Sequence, residues 1–472
     1  MAVRIPGQRG GRRVRSAGVA LAAACAVAAG GLAVAAPAGA ATTVPIQAPA
    51  AAGTAYRHGV VPTVGVTSGP SSTAPGALSS NATTASTLAY GGGVGGVGVL
   101  TGTPQVYLVF YGSQWGTPGA TTLGGRAYAS FSGDTRGVAP VVQAFFAGLG
   151  TGGETWSGVV TQYCQGVAVG ATTCTSNAAH VGYSSHGVLA GVWEDNTAAS
   201  PAAASATQLA AEAEAAAIHF NNTSAASNRS AQYVIVSPPG THPDGFATTT
   251  GNFCAWHDYT GDPSLGTVAQ PAGTVAFTNL PYLPDAGATC GQGFVNPGAA
   301  GLLDGVTIVG GHEYAETLTD QFPAGGWTTS KGVEAGDLCA WGTTGTGAAT
   351  DISTTTGSFA VQSIWANDGN GGTGACEVAH PFVTAANTVV VVNPGPQSVA
   401  RNAQVVLQIR ATDTAPGAAL TFSAAGLPAG YAINPTTGRI TGKSMRVVTS
   451  PVTVRAVDAS GASGSATFVW TT

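Results

Sequence analysis

The sequence predicts a disulfide-bonded α/β (or α+β) main domain followed by a smaller all-β sandwich. Three observations carry this. Apolar strand-like runs alternate with helical patterns between residues 101 and 385. From about Thr388 onward, short alternating strands recur at regular spacing, separated by Pro or Gly turns. Six cysteines, Cys164, Cys174, Cys254, Cys290, Cys339 and Cys376, follow an export-type N-terminus, and an even count there points to disulfides. The expected organisation is a signal peptide over 1–40, a disordered linker or pro-segment over 41–100, the α/β domain over 101–385 and the sandwich over 386–472.

The N-terminal expectation rests on Arg4, Arg9, Arg12, Arg13 and Arg15, the apolar run from Ala17 to Ala36, and the small-residue site Ala38-Gly39-Ala40. Residues 41–100 are rich in Pro, Ala, Thr, Ser and Gly, and such a tract buries too little to fold alone. Gln105 to Gly112 reads as a buried strand. Pro140 to Leu149 reads as a short helix burying Phe145 and Phe146, and Trp156 to Tyr163 as a strand. Pro201 to Phe220 is an Ala-rich helix, amphipathic through Leu209, Ala213, Ala216, Ala217 and Phe220. Gln232 to Ser237, Val275 to Leu280 and Phe359 to Trp365 complete the strands. The six cysteines allow about 15 pairings, and their spacing suggests the sequential one: Cys164–Cys174, Cys254–Cys290, Cys339–Cys376.

Charged residues are only 8% of the chain. Removing residues 1–40 takes away five Arg and no acids, leaving 11 basic and 21 acidic residues. That balance disfavours nucleic acid and anionic membranes as partners, and no later run is long and apolar enough to span a bilayer.

Against this scarcity of charge, three acids and a His fall within nine positions in Gly311-His312-Glu313-Tyr314-Ala315-Glu316-Thr317-Leu318-Thr319-Asp320. Read as a helix from about Leu302, His312, Glu316 and Asp320 share one face, with Val306, Val309, Ala315 and Leu318 as an apolar face. His312-Glu313-x-x-Glu316 is one ligand away from HExxH, in which two His bind zinc and the intervening Glu activates water. Carboxylates are legitimate zinc ligands. The pattern therefore assigns His312 and Glu316 as metal ligands, Asp337 or Asp320 as the third, and Glu313 as general base. Glu334 and His257 are further candidates. Calcium is the alternative ion, better suited to Glu316, Asp320, Glu334 and Asp337. A non-metal reading makes the acids a solvated helix face.

Two stretches resemble known families. Asn393-Pro394-Gly395-Pro396-Gln397, Ala411-Thr412-Asp413, Gly426-Leu427-Pro428-Ala429-Gly430, Asn434-Pro435-Thr436-Thr437-Gly438-Arg439-Ile440-Thr441-Gly442 and Ala456-Val457-Asp458-Ala459 resemble the putative-Ig domains of bacterial surface proteins. The resemblance implies a cadherin-like, Ig-like sandwich, with Asp413 and Asp458 as weak calcium candidates. Residues 104–380, through Phe253-Cys254-Ala255-Trp256-His257, the His312 stretch and Gly336-Asp337-Leu338-Cys339-Ala340-Trp341, look like a group of exported bacterial proteins labelled peptidases. That group is distantly similar to the plant Exordium/phosphate-induced proteins.

The resulting expectation is a secreted or cell-surface zinc-dependent hydrolase acting on an extracellular polypeptide or a cell-wall glycan. The alternative is a non-catalytic wall-binding or adhesion protein, for which exposed members of Trp115, Trp156, Trp193, Trp256, Trp327, Trp341 and Trp365 would supply glycan stacking. A serine peptidase built on Ser184-Ser185-His186 and Asp195 is a minor alternative, since no GxSxG is present.

Overall fold

A computed structural model of the chain describes residues 57–65, 87–175, 178–249, 252–383, 389–413, 419–458 and 463–472. The expected signal peptide lies outside the described residues.

The main domain is built on a six-stranded mixed sheet. Its strands are β1 (Val61–Pro62), β2 (Gln105–Tyr111), β3 (Leu189–Asp195), β4 (Ala231–Val236), β5 (Phe253–Tyr259) and β6 (Ala276–Leu280), in the order β1-β5-β6-β4-β2-β3. Strands β3, β2, β4 and β6 pair in parallel, β5 pairs antiparallel with β6, and β1 antiparallel with β5. Strand alternation divides the apolar residues between two layers. Val106, Leu108, Phe110, Val234, Val236 and Leu280 share a core with helices α1 (Val138–Gly148) and α3 (Asp304–Thr319). Tyr107, Val109, Tyr233, Ile235, Trp256 and Phe277 share one with α2 (Ala206–His219). Helix α2 opens with a capping box in which the Ser205 side chain and Gln208 exchange hydrogen bonds.

Helix α3 is the centre of the α/β layer, and all sixteen of its residues are buried. The solvated face of the non-metal alternative does not exist. Its sequence, with Gly305, Gly310, Gly311 and six β-branched residues, is a poor intrinsic helix former, so packing must hold it. The glycines show where packing is closest. A Cβ on Gly311 would stand 3.2 Å from Phe145 Cζ and from Trp156. One on Gly305 would lie 1.9 Å from the Cys290 carbonyl oxygen. Asp304 anchors the first turn, accepting from the Val295 and Asn296 amides at 2.8 and 2.7 Å, where the helix dipole favours a carboxylate.

The three disulfides are the sequential set, Cys164–Cys174, Cys254–Cys290 and Cys339–Cys376. The C-terminal part is an all-β sandwich. A four-stranded sheet contains Gln397–Ser398, Ser463–Thr471, Thr449–Val457 and Thr421–Ala425, and a three-stranded sheet contains Val405–Gln408, Arg439–Gly442 and Tyr431–Ile433. Alternate residues such as Val452, Val454 and Ala456 meet Ile440, Phe468 and Trp470 in its core. No helix among the described residues is long and apolar enough to cross a membrane.

Two expectations change. Trp156–Gln162 is a 3₁₀ segment rather than a strand. The Glu154 carboxylate accepts from the Ser157 amide and Thr161 Oγ1 donates to the Gly158 carbonyl at 2.6 Å, so local bonds replace a sheet ladder. Residues 57–65 and 87–100, expected within the linker, are built into the fold. Val61 pairs with Ala255, and Tyr90 pairs with Trp327. A low-complexity tract has no core of its own, but it needs none where it adds to an existing sheet edge.

Gly305→Ala tests the seating of α3. The substitution gains up to about 1 kcal/mol of helix propensity, yet the new methyl meets a carbonyl of disulfide-held Cys290. We expect a net loss of roughly 1–3 kcal/mol, read as a lower thermal midpoint; an unchanged or raised midpoint would place the helix start away from Cys290.

Candidate metal centre

Three segments far apart in sequence bring their ionisable groups to one buried spot. Helix α3 supplies His312, Glu313 and Glu316. On β5, Trp256 points into the α2 layer, so His257, the next residue, faces α3. The segment after α3 supplies Glu334 and Asp337. It approaches closely because residue 336 is glycine: a Cβ there would stand 2.9 Å from Glu316 Oε1 and 3.0 Å from the His312 ring. His257, His312, Glu313 and Glu316 are 0% exposed, and the Asp337 side chain is 13% exposed.

His312 Nε2 lies 3.0 Å from Glu316 Oε1 and 3.6 Å from Asp337 Oδ1. The other ring nitrogen, Nδ1, is 3.0 Å from Gln362 Oε1. Gln362 is fixed from its amide side, since Nε2 donates to the carbonyls of Gly336 at 2.8 Å and Ser363 at 3.2 Å. Its oxygen therefore accepts from His312 Nδ1–H, and in the neutral ring Nε2 carries a lone pair. That lone pair converges with two carboxylate oxygens, and Nε2 makes no hydrogen bond. Such a convergence requires a cation between the atoms, a proton or a metal ion.

His257 Nε2 hydrogen-bonds with Glu334 Oε2 at 3.0 Å and lies 3.6 Å from Glu316 Oε2. Both Glu313 oxygens, Glu316 Oε2 and Asp337 Oδ1 are buried without hydrogen-bond partners. Within this cluster two groups have ligand atoms within 4.8 Å of one another, His312, Glu316 and Asp337, and His257, Glu313 and Glu316; a third group among the described residues, His58, Asp258 and Asp262, shares no residue with them.

The electrostatics follow from burial. Loss of water pushes Glu313 and Glu334 well above the usual carboxylate range, and Asp337 up to about 7, with Glu316 adding to the rise. Glu316 itself is held down to about 2: burial would raise it, but His312 and His257 on either side outweigh that. Burial would lower His312, and Glu316 and Asp337 raise it instead.

Asp320 is placed differently from its expected role. It leaves the helix as the C-terminal cap residue, with φ −143°. Its carboxylate accepts from the backbone amides of Ala324, Gly325 and Gly326 at 3.0, 3.2 and 2.6 Å. The i+8 position would share the ridge only if the helix continued. Gln362 had no sequence signal: it lies 50 residues downstream, in the break between strands Gly357–Val361 and Ile364–Ala366 where one strand was expected, with no motif around it.

The segment 57–65 lies over the cluster. Gly59, with φ +49°, sits so close that a Cβ would be 2.0 Å from His257 Cδ2 and 2.7 Å from Glu316 Oε2. The segment is held by Arg57, paired with both Asp244 oxygens at 2.7 and 3.1 Å and stacked over Trp256, and by Trp341 Nε1 donating to the Pro62 carbonyl at 2.7 Å.

The other candidate constellations are not assembled. Ser185 Oγ reaches His186 Nδ1 at 2.9 Å, but Asp195 turns to the Thr197 hydroxyl and amide, so no triad forms. Trp115, Trp156, Trp256, Trp327, Trp341 and Trp365 are buried, and Trp193 stacks on His219 at 4.3 Å. The tryptophans thus offer no exposed glycan platform. Among the described residues, Asp413 and Asp458 join no group of three potential ligands.

Comparison with known proteins adds information mainly for the C-terminus. No curated protein matches the chain. Among solved structures, a Bacteroides fragilis protein described as a "putative alpha-galactosidase/melibiase" is similar at 20% identity over 18% of this chain and 17% of that one, with a TM-score of 0.16. Mouse Cadherin-23 EC22–24 is similar at 21% identity over 24% of this chain and 35% of that one, also with a TM-score of 0.16. The chain thus spans well under half the length of either, and likenesses of this size carry no inference about activity. Residues 387–472 match the family described as Putative Ig domain, the part of the chain that forms the sandwich.

Proposed function

We propose that the chain is an extracellular metal-dependent hydrolase of polypeptides, with one divalent transition-metal ion held by His312, Glu316 and Asp337. The observation that supports this most is the His312 ring. Gln362 fixes its proton on Nδ1 and aims the Nε2 lone pair at two buried carboxylate oxygens. The His312 imidazole in this ligand set favours zinc or a similar ion over calcium, which prefers an all-oxygen shell. The three disulfides and the Ig-like sandwich support an oxidising, extracellular setting.

The ion would supply Lewis acidity toward a water and a substrate carbonyl. Glu313 stands beside it with both oxygens unpartnered and its proton affinity raised by burial, as a group that takes and returns a proton requires. Gln362 keeps the His312 ring in one tautomer. The Gly336 backbone closes the gap between α3 and Asp337. Segment 57–65 covers the His257 and Glu316 side of the cluster, while the Asp337 side chain is 13% exposed on the other. The polypeptide substrate class is proposed from the likeness of HExxE to the HExxH of zinc peptidases. A second reading, an extracellular binding or adhesion protein, is favoured by the Ig-like sandwich alone, with the acidic helix as a structural element.

Metal analysis of the full-length protein separates the two readings. We expect bound zinc to be lost in His312→Ala. Glu313→Gln should keep the ion at His312 and lose hydrolysis of a peptide library by at least about 100-fold. Wild-type protein without metal or peptide hydrolysis would favour the binding reading.

Asp320→Ala should behave in the opposite way to His312→Ala. Three backbone amides lose their acceptor, at roughly 3 kcal/mol or more in total, while metal content stays at the wild-type level. Loss of metal with little change in the thermal midpoint would make Asp320 a ligand after all.

The pH dependence of the metal-free protein has a definite sign. Glu313, Glu334, Asp337 and both imidazoles hold protons in the fold that the unfolded chain gives up. Their contribution is complete below their unfolded values and is lost as pH rises through the folded ones, about 7 for Asp337. Glu316 acts in the other direction, but only below the ordinary carboxylate range. The chelator-treated protein should therefore melt several degrees lower at pH 8 than at pH 5.5. Added zinc should reverse the order, since its ligands bind deprotonated. Equal melting at both pH values without metal would contradict the burial of these groups.

A further inference from the structure

The geometry points to a second metal ion in the same cluster, held by His257, Glu313 and the far oxygen of Glu316, so that Glu316 bridges two ions. This rests on the metal reading above and deepens it from one ion to two.

The two oxygens of Glu316 face different partners. Oε1 is 3.0 Å from His312 Nε2 and accepts from the Asp337 amide at 2.9 Å. Oε2 is 3.6 Å from His257 Nε2 and has no hydrogen bond. The two ligand groups share Glu316 and nothing else: His312 and Asp337 lie on one side, His257 and Glu313 on the other.

A single ion at His312 leaves the second side unsatisfied. Glu316 Oε2 and both Glu313 oxygens would remain buried without partners beside an imidazole. His257 Nε2 is also 3.0 Å from Glu334 Oε2, a further oxygen donor. The charge argues the same way. Glu313, Glu316, Glu334 and Asp337 carry four negative charges when ionised; one divalent ion leaves half of that uncompensated, and two balance it. Buried carboxylates in this number need either protons or cations. A bridging carboxylate places two ions about 3.5–4 Å apart, the spacing at which a pair can hold both the attacking and the leaving oxygen of a displacement. Glu313 can serve both roles, one oxygen as ligand and the other as proton acceptor.

The test is metal stoichiometry on the full-length protein titrated with zinc, together with electron paramagnetic resonance of the manganese(II)-loaded protein. We expect two ions per chain, an exchange-coupled manganese signal, loss of one or both ions in His257→Ala and in His312→Ala, and loss of both in Glu316→Ala. One ion per chain, lost in His312→Ala and kept in His257→Ala, would overturn the second ion and leave the mononuclear hydrolase intact. No ion in the wild type would overturn both. Two ions unaffected by either His variant would place them elsewhere and overturn the bridge. If His257→Ala fails to fold, the wild-type titration and the manganese coupling decide the matter alone.

Discussion

Four carboxylates and two imidazoles are held out of water around one turn of a helix that has no exposed residue. Burying one such charge unpaired would cost several kcal/mol, so the surrounding structure must be arranged to compensate the group. The compensation starts at Glu316. Its carboxylate stands between His312 and His257, accepts the amide of Asp337, and so ties α3 to β5 and to the segment that follows the helix. Remove that carboxylate and the two imidazoles have no common partner, while the 334–337 segment loses its bond to the helix.

The rest of the α/β layer can be understood as what keeps this turn in place. Gly305 and Gly311 let α3 sink against Cys290 and against Phe145 and Trp156 to a depth at which no side of it meets solvent. The Cys254–Cys290 bridge fastens β5, the strand carrying His257, to the chain that leads into α3. The Cys339–Cys376 bridge does the same for the segment carrying Glu334 and Asp337. Two of the three disulfides therefore constrain the elements that carry the buried cluster, and these constraints act on the unfolded chain as well as on the folded one. The Ig-like sandwich has its own core and, among the described residues, contributes none to the cluster.

Much of the architecture was legible because it rests on local pattern. The runs at Gln105–Tyr111, Ala231–Val236 and Ala276–Leu280 are apolar enough to read as buried strands, and the Ala-rich helix announces itself through spacing, although it starts at Ala206 behind its Ser205 cap rather than at the expected Pro201. The HExxE stretch stood out because acids are scarce elsewhere. What sequence could not supply was mutual orientation. Asp320 and Asp337 were equivalent third ligands on spacing, and only the end of the helix turns Asp320 toward backbone amides. Gln362 carries no motif, and its importance comes from where two carbonyls pin its amide. Composition also misjudged residues 57–65, since a Pro/Ala/Thr-rich tract can borrow a sheet edge without having a core.

That borrowed edge has a kinetic consequence. Val61 meets Ala255 across 194 positions of chain (255 − 61), and the Trp341 bond to Pro62 spans still more. Contacts of such separation close late, because the loop entropy must be met before they give any return. The elements that carry the cluster can therefore assemble while it is still open to solvent, with Gly59 closing over His257 and Glu316 as a later step. Opening of that nine-residue segment, a sub-global fluctuation of the fold, then becomes a route by which the buried side chains meet solvent again.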